Sequence, residues 1–105
     1  MPKLLSNSEI AEGLKPLSGW KRDGRFITKT FEFRDFMDGI GFINRVAAVA
    51  EKEEHHPDIR VRYTSITLSV QTHSEGGVTE WDLGLAAAVE AMLKGARAGG
   101  RKRSG

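Results

Sequence analysis

Ser65-Ile66-Thr67-Leu68-Ser69-Val70-Gln71-Thr72-His73 alternates strictly, with Ile66, Leu68 and Val70 on one side and Ser65, Thr67, Ser69, Gln71 and His73 on the other. A period of two is a strand with one buried and one solvated face, so the chain is built on a sheet covered on one side. Just upstream, Ile59-Arg60-Val61-Arg62-Tyr63 alternates as well. Before it, Asp35 can cap a long helix in which Phe36, Ile40, Ile43, Ala47 and Ala50 follow the three-and-four spacing of a buried stripe, although Gly39 and Gly41 weaken its first turns. That pattern continues through Glu51 to about Glu54, where Pro57 forces the chain out of the helix by excluding helical geometry at the preceding residue.

Outward from this centre, Trp20-Lys21-Arg22 and Arg25 to Phe33 flank Asp23-Gly24, a two-residue hairpin signal. Ile27, Phe31 and Phe33 form the expected core face of the second strand, with Lys29 as the exception. Ser6 and Glu9 have capping-box spacing, with Leu5 and Ile10 as a hydrophobic staple, so a short helix is predicted from about Asn7 to Lys15, ended by Pro16 and Leu17-Ser18-Gly19. Downstream, Ser74-Glu75-Gly76-Gly77 is a turn. Thr79 and Asp82 repeat the capping spacing ahead of a helix whose stripe is Leu85, Ala86, Val89, Met92 and Leu93. The order is α-β-β-α-β-β-α: an α+β fold with a four-stranded antiparallel sheet covered on one face by helices. Four strands leave edges and one largely polar face, so pairing between subunits is the economical protection.

The chain has 105 residues, 29% charged and 39% hydrophobic, ordinary values for one globular domain. No apolar run approaches the roughly 20 residues of a membrane span. Met1-Pro2-Lys3-Leu4-Leu5-Ser6 is too short and polar for a signal peptide, so the cytoplasm is the expected compartment. The absence of cysteine removes disulfides, thiolate metal sites and thiol nucleophiles, leaving carboxylate and imidazole chemistry. Of sixteen basic residues, Lys94, Arg97, Arg101, Lys102 and Arg103 fall near the Gly-rich C-terminus, and the remaining eleven face fourteen acids. The expected division is therefore a domain over residues 1–94, mildly acidic with Lys94 included at twelve bases to fourteen acids, and a flexible basic tail over 95–105. Nucleic acid is not an expected partner, because no aromatic-basic strand accompanies the tail.

Two of the three histidines stand together in Glu51-Lys52-Glu53-Glu54-His55-His56-Pro57-Asp58, and the third is His73. Imidazole titrates near neutrality, so two or three around one pocket suit acid and base steps on a neutral ligand. Adjacent residues splay apart at a helix end and are poorly placed to chelate one ion together, and His-x-x-x-His spacing is absent, so no metal site is expected. Taken locally, the favoured reading is that His55 caps the last carbonyls of the helix and His56 lies on the surface. Trp20 and Trp81 read as rim or core aromatics, Asp82 as a cap and Glu51 as a solvated helix charge.

Together, Glu51, His55, His56, Pro57, Tyr63, His73 and Asp82 fall at spacings that resemble the pterin-4a-carbinolamine dehydratase family, and the resemblance runs from Leu5 to Leu93. It implies removal of water from 4a-hydroxytetrahydropterin to give quinonoid dihydropterin, which recycles the cofactor of aromatic amino-acid hydroxylases. On that reading His55, His56 and His73 are catalytic, Glu51, Gln71, Thr72 and Trp20 bind the pterin, and Asp82 and Pro57 orient the site, with Asp82 directed to His73. Gln71 and Thr72 would offer backbone hydrogen bonds. The pterin is substrate, so no cofactor and no metal are implied. A dimer or tetramer and functional coupling to a hydroxylase are implied as well. The same fold also serves as a non-catalytic interaction protein, a transcription coactivator or an assembly factor, in which loss of the histidines is expected.

Overall fold

The computed structural model describes the backbone of residues 2–103 and the side chains of residues 2–95. The elements are α1 (Asn7–Leu14), β1 (Lys21–Asp23), β2 (Phe26–Glu32), α2 (Phe36–Glu53), β3 (Asp58–Arg62), β4 (Ser65–Val70), a 3-10 turn (His73–Glu75) and α3 (Glu80–Arg103). The stretch 95–105, expected as a flexible tail, falls in α3 as far as Arg103, and residues 104–105 lie outside the described residues. All strand pairs are antiparallel in the order β1-β2-β4-β3, so the strictly alternating strand sits inside the sheet.

The pleat sorts the sheet as the alternation requires. Ile27, Phe31, Ile66, Leu68 and Val70 are buried on the helix side, with Phe42 and Val46 of α2 and Leu85, Ala86 and Val89 of α3 packed into the same core. Lys29 shares that face, and its charge is met by Glu90 of α3 at 2.8 Å, while Trp20 Nε1 donates to the same carboxylate at 2.9 Å. The long β2–β4 pairing, from Ile27↔Val70 to Glu32↔Ser65, runs a Thr/Ser ladder along the opposite face. Asp58 to Arg62 is exposed throughout, and β3 is an edge.

Two expectations need correction. The first hairpin turns one residue later than Asp23-Gly24: Asp23 pairs with Phe26, so Gly24-Arg25 is the loop. Gly24 has φ 61° and Arg25 is not left-handed, which places glycine at the first central position, as a II′ turn requires. The buried stripe of α2 is Gly39, Phe42, Val46 and Ala50, while Phe36 and Ala47 are exposed. Both stripes obey helical spacing; packing chose the one in which Gly39 brings the backbone against Ile66 and Phe42 meets Phe31 and Phe33, with ring centroids 4.7 and 4.9 Å apart. Phe42→Ala is expected to cost about 3–5 kcal/mol in urea unfolding and Ala47→Gln less than about 0.5 kcal/mol.

At the N-terminus the Ser6–Glu9 capping box is complete: Glu9 N–H donates to Ser6 Oγ at 3.1 Å and Ser6 N–H to Glu9 Oε1 at 2.8 Å. That backbone donor, followed by the charge of Lys3, holds the Glu9 carboxyl below its ordinary value of 4.5. A lowered value in the folded state means the contribution is complete above the ordinary carboxylate range and is lost as pH falls through the lowered value. Glu9→Gln should therefore flatten the acid limb of a stability–pH curve measured by urea unfolding and leave its shape near neutrality unchanged.

Candidate active site

The end of α2 sets the site. Glu54 takes a left-handed conformation (φ 55°, ψ 39°), its N–H reaching Glu51 O at 3.3 Å while His55 N–H reaches Ala50 O at 3.1 Å. These two bonds form a Schellman cap, and a non-glycine residue in this region costs about 1–2 kcal/mol. Pro57 then keeps His56 extended. Asp58 opposite Ser69 is the first pair of the β3–β4 ladder, so His55 and His56 stand in the link between α2 and the sheet.

His55 turns inward. Its Nε2 lies 2.6 Å from Asp82 Oδ1, with the two side chains 13% and 0% exposed. Asp82 Oδ2 accepts the Thr79 N–H at 2.7 Å and the Thr72 hydroxyl at 2.9 Å, and the Thr72 and Thr79 hydroxyls are 2.7 Å apart. Trp81 packs edge-on to the His55 ring, with centroids 5.9 Å apart. Beside this group lies a cavity of about 360 Å³ lined by Glu53, Glu54, His55, Glu80, Trp81 and Gly84. His56 turns outward, its Nε2 2.6 Å from Glu51 Oε2, in a pair that is 60% and 78% exposed. At equal length the two pairs differ in burial, so water screens the outer one and leaves the inner one little screened.

Several predicted residues stand elsewhere or act otherwise than expected. Asp82 does cap α3, but its imidazole partner is His55, not His73, because the first turn of α3 packs against the exit from α2. His73 is exposed at the start of the 3-10 turn. The N–H of Thr72 bonds Gly77 O and its carbonyl accepts from Glu75 and Gly76, so the backbone expected to meet a ligand closes its own turn. Gln71 Oε1 is buried with no hydrogen-bond partner among the described residues. Trp20 is a core residue 6% exposed, edge-on to Phe31, while Trp81 lines the cavity. Tyr63 is 76% exposed in the β3–β4 turn, at the other end of β3 from the histidines. Among the described residues no group of three or more His, Asp or Glu is arranged to hold a metal, and no helix is long and apolar enough to cross a membrane.

The residues missed were Thr79 and the Thr72 side chain. A signal existed: the inward series Ile66, Leu68, Val70 ends on a polar Thr72, and a buried hydroxyl requires a partner.

The structure is an α+β sandwich that sets a buried carboxylate against one imidazole beside a cavity. The profile of the family described as pterin 4 alpha carbinolamine dehydratase matches residues 3–92, and the chain belongs to that family. A Bradyrhizobium sp. relative is 46% identical over 94 residues, covering 88% of this chain and 94% of its own. A Roseiflexus castenholzii relative is 44% identical over 93 residues, covering 89% of this chain and all of its own. Both are provisionally named pterin-4-alpha-carbinolamine dehydratases. A crystal structure from Brucella melitensis, titled transcriptional coactivator/pterin dehydratase, is similar at TM-score 0.80 and 38% identity, covering 85% of this chain and 97% of its own. A pterin dehydratase-like RuBisCO assembly factor of the alpha-carboxysome shares the fold at TM-score 0.55 and 23% identity, covering 69% of this chain and 83% of its own.

Burial separates the two carboxylates. Asp82→Ala leaves the Thr79 N–H and the Thr72 hydroxyl without their acceptor and should cost about 3 kcal/mol or more in denaturant unfolding. Glu51→Ala should cost less than about 1 kcal/mol.

Proposed function

We propose that this protein is a 4a-hydroxytetrahydropterin dehydratase working by histidine general acid and base catalysis. The observation that carries the reading is the His55–Asp82 pair beside the Trp81-lined cavity. One imidazole nitrogen is held by a buried carboxylate and the other is left to exchange protons with a ligand, while an indole offers a flat wall to a bicyclic ring. In the reaction, the 4a-hydroxyl takes a proton as the carbon–oxygen bond breaks, and the hydrogen on nitrogen 5 leaves as the carbon–nitrogen double bond forms. One proton is given and one is taken, so an acid and a base complete the step and the products are water and quinonoid dihydropterin.

His55 is the best oriented of the three imidazoles. His56, steadied by Glu51, and His73 supply the second proton-transfer group from the same end of the sheet. Gln71, whose side-chain oxygen is uncommitted, is an acceptor for pterin N–H groups. The product returns to the cycle of an aromatic amino-acid hydroxylase in the cytoplasm, and the pterin is substrate, with no further cofactor. A dimer or tetramer belongs to the reading, since β3 is an exposed edge strand carrying Ile59 and Val61 on the helix side.

A second reading, an interaction protein on the same fold, is favoured by Phe36 and Met37, which stand 44% and 69% exposed at the start of α2. One assay separates the two. The 4a-hydroxypterin is generated with an aromatic amino-acid hydroxylase and its dehydration followed by absorbance with wild type, His55→Ala, His56→Ala and His73→Ala. The expected loss for His55→Ala is about 100-fold or more, the scale of a general acid or base. Failure of the wild type to accelerate dehydration would sink the enzymatic reading.

A further inference from the structure

The two threonines beneath Asp82 have only one consistent arrangement of protons. A hydroxyl has one hydrogen to give. Thr72 gives its hydrogen to Asp82 Oδ2, so in the 2.7 Å contact between the two hydroxyls Thr79 is the donor and Thr72 the acceptor. Thr79 Oγ1 in turn accepts the Trp81 N–H at 3.1 Å. The chain therefore runs one way, from Trp81 N–H through Thr79 and Thr72 to Asp82, and the Thr79 N–H adds a second donor to the same oxygen. Asp82, 0% exposed, receives only donors on Oδ2 and faces His55 with Oδ1. A bare Nε2 at 2.6 Å would set one acceptor against another, so Nε2 must carry its hydrogen.

We infer that Thr72 and Thr79 are positioning residues that, acting through Asp82, hold His55 as its Nε2–H tautomer and make Nδ1 the nitrogen that meets the substrate. This rests on the dehydratase reading for the identity of the substrate but not for the tautomer. His56 has the same imidazole–carboxylate contact without the relay, because Glu51 is 78% exposed, so its tautomer is not held in this way. The assignment gives His55 one working atom on the free side of its ring.

The test is nitrogen-15 and proton NMR of the histidine rings in wild type, Thr72→Val, Thr72→Ser and Thr79→Val, alongside dehydration kinetics. Valine keeps the branched shape of threonine and removes the hydroxyl. In wild type, His55 should show a protonated, hydrogen-bonded Nε2 and a bare Nδ1. In Thr72→Val the Nε2–H signal should broaden or vanish while the His56 signals stay in place, and Thr72→Ser should restore it. Kinetically, Thr72→Val should lose about 10- to 100-fold in kcat with little change in KM, and serine should recover most of that loss. Thr79→Val should lower kcat in the same way through the loss of one relay donor. A wild-type His55 protonated on Nδ1, or a Thr72→Val protein that keeps both the Nε2–H signal and kcat, would overturn the inference. An intact Nε2–H signal, sensitive to Thr72→Val, in a protein that does not dehydrate the pterin would support the positioning relay and reject the dehydratase reading.

Discussion

A carboxylate with no solvent contact must have its oxygens met by donors, and Asp82 meets that requirement with groups from three separate parts of the chain. Withdrawing such a charge from water costs several kcal/mol, so each donor is a structural obligation. The Thr79 N–H fixes where α3 begins, the Thr72 hydroxyl fixes how the chain leaves β4, and the His55 ring fixes how it leaves α2. None of these three junctions is regular secondary structure. Their mutual orientation comes from one shared acceptor.

The two histidine–carboxylate contacts show why distance alone does not define a site. Both are 2.6 Å long, yet Asp82 is shielded and Glu51 is open to water. Attraction between charged or polar groups scales inversely with the local dielectric, and side-chain entropy is lost anew each time an exposed pair forms. The inner pair is held by the fold, and the outer pair is held only by its own geometry. Adjacent residues thus acquire different properties because one ring is covered beside Asp82 and the other stays in water beside Glu51.

The strands and helix caps were legible in the residues because they rest on local rules. Ser65 to Val70 alternates and is buried as it alternates, and Ser6 with Glu9 closes the box its spacing announced. The turn at Gly24-Arg25 and the stripe of α2 were not, since neighbouring registers satisfy the same local rule and tertiary packing selects between them. For the site, the spacing marked Asp82 but not its partner, because the reach from α3 to the end of α2 is a property of the assembled fold. Trp20 and Trp81 carry no local sign of which one meets the core. Thr72 did carry one, as a hydroxyl in an inward series of apolar residues.

The separation of the Asp82 partners along the chain also has a meaning in time. A nascent polypeptide presents residues 55 and 56 well before residue 82 exists, and in that interval His55 has no carboxylate partner. Orientation arrives only when the final helix docks and its first turn closes over the sheet. A ribosome product truncated ahead of Thr79 would therefore contain all three histidines and lack the buried carboxylate that distinguishes His55 from His56.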